Sequence, residues 1–210
     1  MDARTVVVTG ASDGIGAEAA RELAAAGDHV VVVGRSPAKT AALATELGTD
    51  HLVADFSRLD DVRVLADAPL AGCPRIDVLA NNAGAIFAGT RSTTTDGHES
   101  TFQVNYLAPF LLTELLHDRL VESRATVVNT SSIAGGRFGR LDLDNLESTR
   151  GYSAARAYGS SKLAQTAPGT DWQPGGYYAK RRLRRTVAQA DDAALAAGLW
   201  DRSIAMLGLG

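Results

Sequence analysis

From residue 5 to residue 130 the chain alternates between short runs rich in β-branched residues and longer stretches rich in Ala and Leu. No other feature of the sequence restricts the fold as much. The short runs fall at residues 5–9, 29–33, 51–54, 76–80 and 126–130, and most are apolar without a two-residue alternation. That is how strands covered on both faces read. Between them the sequence predicts helices at 14–26, stopped by Gly27; at 37–47, with Pro37 in the first turn and Gly48 beyond the end; at 58–67; and at 99–122, bent near Pro109. A polar stretch at 90–96 reads as a mobile loop. Strict alternation of strand and helix implies a parallel sheet and an α/β, doubly wound fold with helices on both faces. The 210 residues suit one domain with a substantial core, and no repeat, low-complexity tract or linker divides residues 1–210.

The first strand runs straight into Gly10-Ala11-Ser12-Asp13-Gly14-Ile15-Gly16, which opens the first helix. Glycines here let the chain turn tightly and let backbone approach a pyrophosphate at the positive end of a helix. The bland alternative is a glycine-rich turn without a ligand. The second strand ends Val33-Gly34-Arg35-Ser36, with no acid to hold a ribose 2′-hydroxyl. Arg35 could pair instead with a 2′-phosphate through its planar fork, which favours NADP, with NAD possible. Asp13 argues the other way if its side chain reaches toward that phosphate.

Composition excludes several classes. A net charge of −3 gives no general electrostatic attraction to nucleic acid or membrane. Cys73 is the only cysteine, which forbids an internal disulfide and fits a reducing compartment. Four histidines and one cysteine show no metal-ligand spacing. No apolar run approaches the ~20 residues of a membrane span, and Met1-Asp2-Ala3-Arg4 leads directly into Val6-Val7-Val8 without a signal-peptide pattern. A soluble cytoplasmic protein is expected. The basic run Lys180-Arg181-Arg182-Leu183-Arg184-Arg185 lacks interleaved aromatics and reads as a solvated connector.

Further along, Tyr158-Gly159-Ser160-Ser161-Lys162 places a phenol and an ammonium four residues apart. On a helix the two share a face. A phenol ordinarily titrates near ~10, and a neighbouring cation lowers that value, so the pair can serve as an acid/base device. A solvated lysine on a helix surface is the competing reading.

Taken together these motifs resemble the short-chain dehydrogenase/reductase family, continuously from Thr5 to about Gln165. Thr9 to Gly16 is similar to its cofactor loop, Asp55 with Phe56 to its adenine contact, and Asn81-Asn82-Ala83-Gly84 to the motif after its fourth strand. The spacing from Ser132 to Tyr158 and the run Ala157-Tyr158-Gly159-Ser160-Ser161-Lys162-Leu163-Ala164 resemble the retinol-dehydrogenase-like branch. The resemblance implies a Rossmann-type fold and a hydride transfer between NADP(H) and a carbonyl/alcohol pair on a small apolar substrate. It implies Asn105, Ser132, Tyr158 and Lys162 as catalytic residues. Tyr158 would be the general acid, Ser132 would bond the substrate oxygen, Lys162 would tune the phenol and hold the nicotinamide ribose, and Asn105 would support a proton-relaying water. It implies Gly10, Ser12, Asp13, Gly14, Ile15, Gly16, Arg35, Asp55, Phe56, Asn82, Ala83, Gly84, Tyr158 and Lys162 as cofactor contacts. Ser131 and Ser132 could instead cap a turn, and Asn105 could serve the helix backbone at the Pro109 bend.

After Gln165 the resemblance breaks. The helix bearing Tyr158 and Lys162 meets Pro168-Gly169, and nothing between 163 and 176 reads as the sixth strand. The pattern resumes with a final strand near Tyr177-Tyr178 and a closing helix at 191–207. The sixth-strand region is therefore missing, which leaves a gap or an edge in the sheet, removes the segment over the nicotinamide, and shortens a face that relatives use to form homo-oligomers. Two functions follow: an active oxidoreductase, or a catalytically impaired nucleotide-binding protein acting as a sensor or interaction module.

Overall fold

The computed structural model describes residues 3–70, 73–166, 176–179 and 182–209. In chain order it contains β1 (Thr5–Thr9), α1 (Gly14–Ala25), β2 (His29–Gly34), α2 (Pro37–Leu47), β3 (His51–Val53), α3 (Leu59–Leu65), β4 (Val78–Asn81), α4 (Ser100–Phe102), α5 (Ala108–Leu115), α6 (His117–Ser123), β5 (Thr126–Asn129), α7 (Ile133–Phe138), α8 (Ala154–Ala164), β6 (Tyr177–Ala179), β7 (Arg182–Arg184) and α9 (Ala193–Leu207). The chain forms two compact units. One comprises residues 1–84 and 108–130, the other 85–107 and 131–210.

The first unit holds a five-stranded parallel sheet in the order β3-β2-β1-β4-β5. Its two central strands β1 and β2 form because β-branched side chains fit a pleated surface buried on both faces. Val6, Val8, Ala11, Ala17, Ala20, Val30, Val32 and Leu43 make one buried cluster, with Val30 and Val32 fully covered. Each buried valine contributes about 1.5–3 kcal/mol over an exposed one. Helix α2 starts at Ser36, whose hydroxyl accepts from Lys39 N, has Pro37 in its first turn, and ends on Gly48 at φ 62°. Its predicted limits are the observed ones. Among the described residues β5 has only β4 as a neighbour, and Val127 and Val128 are exposed. Of the expected gap or edge, the described residues show an edge at β5.

The second unit is mainly helical. Tyr106 and Ser203 share a buried hydroxyl–hydroxyl contact of 3.0 Å, and the Phe102 and Tyr106 rings lie 5.1 Å apart. These contacts seat α9 on the stretch before α5. Helices α7 and α8 meet backbone to backbone. A Cβ on Gly159 would fall 2.6 Å from Gly139 N and 2.8 Å from the Ala134 carbonyl. A Cβ on Gly135 would lie 3.1 Å from Leu163 N.

Four expectations need correction. The predicted 99–122 helix is broken. A π-type turn at Gln103–Leu107 separates α4 from α5, and Leu116 at φ −95°, ψ 2° separates α5 from α6. Pro109 has no N–H to give the Asn105 carbonyl, so the regular ladder fails in the turn before it. The expected final strand does not join the parallel sheet: β6 pairs antiparallel with β7 as a two-stranded sheet. Their short connection permits only antiparallel pairing, since parallel strands need a long crossover. The basic run is consequently part strand, with Arg182–Arg184 exposed as β7; Lys180 and Arg181 lie outside the described residues. The 90–96 loop is pinned. Thr93 bridges to Glu99, Arg91 Nε donates to the Glu147 carbonyl, and Thr94 N donates to the His98 carbonyl. The Pro168-Gly169 break and the gap at 167–175 lie outside the described residues, but α8 does end at Ala164. No helix among the described residues is long and apolar enough to cross a membrane.

The α7–α8 contact gives a direct test. Gly159→Val should force the two helices apart and lower stability by about 1–3 kcal/mol. The expected signature is a lower urea midpoint with an unchanged slope.

Candidate functional site

In the first unit, β1 ends in Thr9, and its buried hydroxyl ties three segments together. Oγ1 donates to the Ala80 carbonyl and accepts from Asn82 N and Ala83 N at 3.0 and 3.1 Å. Asn82 returns the contact, its Nδ2 donating to the Thr9 carbonyl at 3.0 Å. The glycine loop is moulded onto this lock. A Cβ on Gly10, which sits at φ +65°, would lie 2.7 Å from Ala83 Cα. One on Gly16 would lie 2.4 Å from the Gly10 carbonyl and 2.5 Å from Asn82 Nδ2. Gly34 is equally confined, between Thr40 and Ser12. Gly14, at φ +55°, has open space beside it. The loop therefore presents bare backbone at the start of the 12-residue α1, where first-turn N–H groups lack helix partners. This is a fit for a dinucleotide pyrophosphate.

Charge around the loop is now specified. Asp13 caps α1 through Gly14 N and pairs with Lys39 at 2.5 Å. Lys39 and the Gly14 amide hold the Asp13 carboxyl below its ordinary range. Its negative charge is thus matched by a lysine rather than left facing a phosphate. Arg35 is exposed and makes no ion pair among the described residues. Ile15 is largely exposed, Phe56 is buried, and Asp55 Oδ1 accepts from the amide and hydroxyl of Ser57. Gly84 is exposed at the end of the unit's first segment.

The second unit gathers Asn105, Ser132, Tyr158 and Lys162. Asn105 is fully buried in the π-type turn; its Oδ1 accepts from Ala85 N at 2.7 Å, and its Nδ2 donates to the Ala85 carbonyl and to Ser161 Oγ, each at 3.0 Å. Its side chain is committed to joining the turn, the start of the 85–99 segment and α8. Ser131 Oγ donates to the Lys162 main-chain carbonyl, while Ser132 Oγ caps α7 by accepting from Ala134 N. The capping role envisaged for Ser132 is real, and it leaves the hydroxyl proton to donate elsewhere. Ser132 also lines a cavity of about 200 Å³, walled by Ile133, Gly135, Leu163, Thr166 and Val187. Tyr158 is half-buried on α8, and Lys162, one turn on, is 3% exposed. Burial pushes the Lys162 ammonium down to about 8. Its Nζ donates to Gln165 Oε1 at 2.8 Å.

Spacing marks Thr9 only as the first residue of the loop and leaves Gly34, Lys39, Ser161 and Gln165 unmarked as site-forming residues. A hydroxyl at a strand end just before Gly10 was a usable signal for Thr9. The contacts of Lys39 and Gln165 depend on side-chain directions that spacing does not reveal.

The model of the short chain dehydrogenase family matches residues 4–167. A Streptomyces sp. (strain C5) protein with the provisional name daunorubicin C-13 ketoreductase DnrU is 35% identical across 99% of this chain and 94% of its own. That alignment covers 273 positions against 210 residues here, so the relative carries segments this chain lacks. Mouse retinol dehydrogenase 12 is 43% identical over 77% of this chain and 53% of its own. The chain spans about half the length of the retinol dehydrogenases it matches. An uncharacterised protein from Mycobacterium paratuberculosis has a crystal structure that superposes over 98% of this chain and 93% of its own, with 31% identity and a TM-score of 0.84. A metagenomic short-chain oxidoreductase in complex with NADP is 30% identical, over 76% of this chain and 70% of its own, with a TM-score of 0.60. The fold and the motif set thus define a Rossmann-type dinucleotide-binding oxidoreductase. The chain belongs to the short-chain dehydrogenase/reductase family, in its retinol-dehydrogenase-like branch, a family of NAD(P)-dependent enzymes acting on CH–OH groups.

The Thr9 lock predicts a specific defect. Thr9→Val strands two backbone donors and should cost about 1–3 kcal/mol of stability. Thr9→Ser keeps the hydroxyl and should stay near wild type in the same urea titration.

Proposed function

We propose that this protein interconverts a carbonyl and an alcohol on a small apolar substrate with NADP(H). The observation that carries the reading is the buried Lys162 ammonium one helical turn from Tyr158, in the same unit as Ser132 and its largely apolar cavity. When bound, the nicotinamide supplies or accepts the hydride. The side chains handle the oxygen. Ser132 donates a hydrogen bond to the substrate oxygen as negative charge develops there and keeps its proton, while Tyr158 transfers the one proton the oxygen takes up. Lys162 stabilises the phenolate left behind. Its low pKa still leaves it mostly charged at pH 7. Asn105 holds α8 against the 85–99 segment through Ser161, so any relay it supports runs through its main chain.

Three things support NADP over NAD: an exposed Arg35 where an acid would serve the ribose hydroxyl, the neutralisation of Asp13 by Lys39, and the NADP-bound relative. The names of the relatives support an apolar carbonyl or alcohol as substrate.

The test is a fluorescence titration with NADPH and NADH, followed by a carbonyl panel read at the NADPH absorbance. Tight binding with no turnover on any carbonyl would remove the reductase reading. Tyr158→Phe should lower kcat by about 100- to 10,000-fold with NADPH binding retained. Because Lys162 is charged below its pKa, reduction should decline as pH rises through about 8. Arg35→Glu should weaken NADPH binding by about 10- to 100-fold and leave NADH nearly unchanged.

A further inference from the structure

Helix α8 ends immediately after Lys162, and the residue at its end turns back onto that lysine. Gln165 is the C-cap of α8, at φ −68° and ψ −16°, and is 9% exposed. Its Oε1 accepts from Lys162 Nζ at 2.8 Å in a buried contact. The amide orientation is dictated by chemistry, since an ammonium carries only donors and the oxygen has to face it. The other end of the amide is in an unusual state. Gln165 Nε2 is buried and finds no hydrogen-bond partner among the described residues. A buried amide with one end unpaired is costly to keep and is retained where a ligand or a function uses it.

We propose that Gln165 is the positioning residue of the Tyr158–Lys162 pair: its carbonyl oxygen holds the lysine ammonium in place and charged, and its unpaired amide nitrogen is a donor reserved for an oxygen that arrives with the bound cofactor or substrate. The inference rests on the reductase reading of that pair. A carbonyl bonded to the charged form favours that form, in opposition to burial. The described contacts around Lys162 include Gln165, the first residue beyond its helix, Ser161 beside it, Asn105 bonded to Ser161, and Ser131 on its main-chain carbonyl, with Tyr158 one turn back. Gln165 is thus a side chain through which the charge of Lys162 can be tuned without touching the reacting groups. It takes this place because the helix stops here, freeing its side chain to fold back by three residues.

The experiment uses the full chain labelled with ¹³C-lysine. The Lys162 Cε shift is followed by NMR from about pH 6 to about pH 11, with Lys162→Met to assign the peak. Gln165→Met keeps the volume and removes both polar ends; its Lys162 midpoint should fall by about one pH unit. Gln165→Glu keeps an acceptor and adds a charge; its midpoint should rise by a similar amount. In turnover assays the alkaline limb of kcat should move in the same two directions, with kcat about tenfold lower for Gln165→Met. Thermal melts check that both variants fold. Midpoints that stay within a few tenths of wild type in both folded variants would overturn the proposal, as would a loss of rate that is equal at every pH. Shifted midpoints in a protein that turns over no carbonyl would uphold the role of Gln165 and remove the reductase reading instead.

Discussion

Contact between bare backbones is the constraint on which both halves of this molecule depend. In the first unit, Gly10 rests on Ala83, and Gly16 on the Gly10 carbonyl and Asn82, at separations that leave no room for a methyl group. In the second, Gly159 rests on Gly139 and on the Ala134 carbonyl in the same manner. The first set shapes a loop that offers amides to a phosphate. The second sets the register of α8 against α7, and so fixes where Tyr158 and Lys162 stand relative to Ser132. Glycine at these positions is a matter of distance more than of flexibility.

The second organising fact is a charged group kept out of water. Lys162 is nearly inaccessible, and its ammonium is correspondingly easier to neutralise than a surface lysine. Such a group persists only with compensating hydrogen bonds. Gln165 provides one of them, and it does so from the cut end of the helix. That bond comes from the first residue beyond the helix.

Much of this was legible in the sequence. The parallel sheet followed from unbroken valine runs, α2 from Ser36, Pro37 and Gly48, and the family from motifs that each fall at a strand end or on a helix face. What spacing could not reveal was geometry between distant residues. Thr9 reads as the last residue of a strand, and nothing local says that its hydroxyl meets Asn82 and Ala83. Lys39 reads as a helix-surface lysine, and only the fold brings it to Asp13. The long helix before β5 was misread because composition favours helix throughout, while the missing donor of Pro109 acts one turn upstream on the Asn105 carbonyl. The strand at Tyr177 was given to the parallel sheet because the pattern of the longer relatives was extended across a gap that changes the connectivity.

The Thr9 lock has a consequence for how the protein comes into being. Thr9 and Asn82 are separated by 73 positions in the chain. The glycine loop belongs to the first turn of sequence to be made, yet its shape is borrowed from a segment synthesised far later. Closing so large a span is entropically slow, and contacts of this range form late in folding. The loop is complete in sequence long before the segment that moulds it, and it takes this shape only with β4 docked beside β1. A fragment ending before residue 82 lacks both backbone donors that Thr9 Oγ1 accepts from.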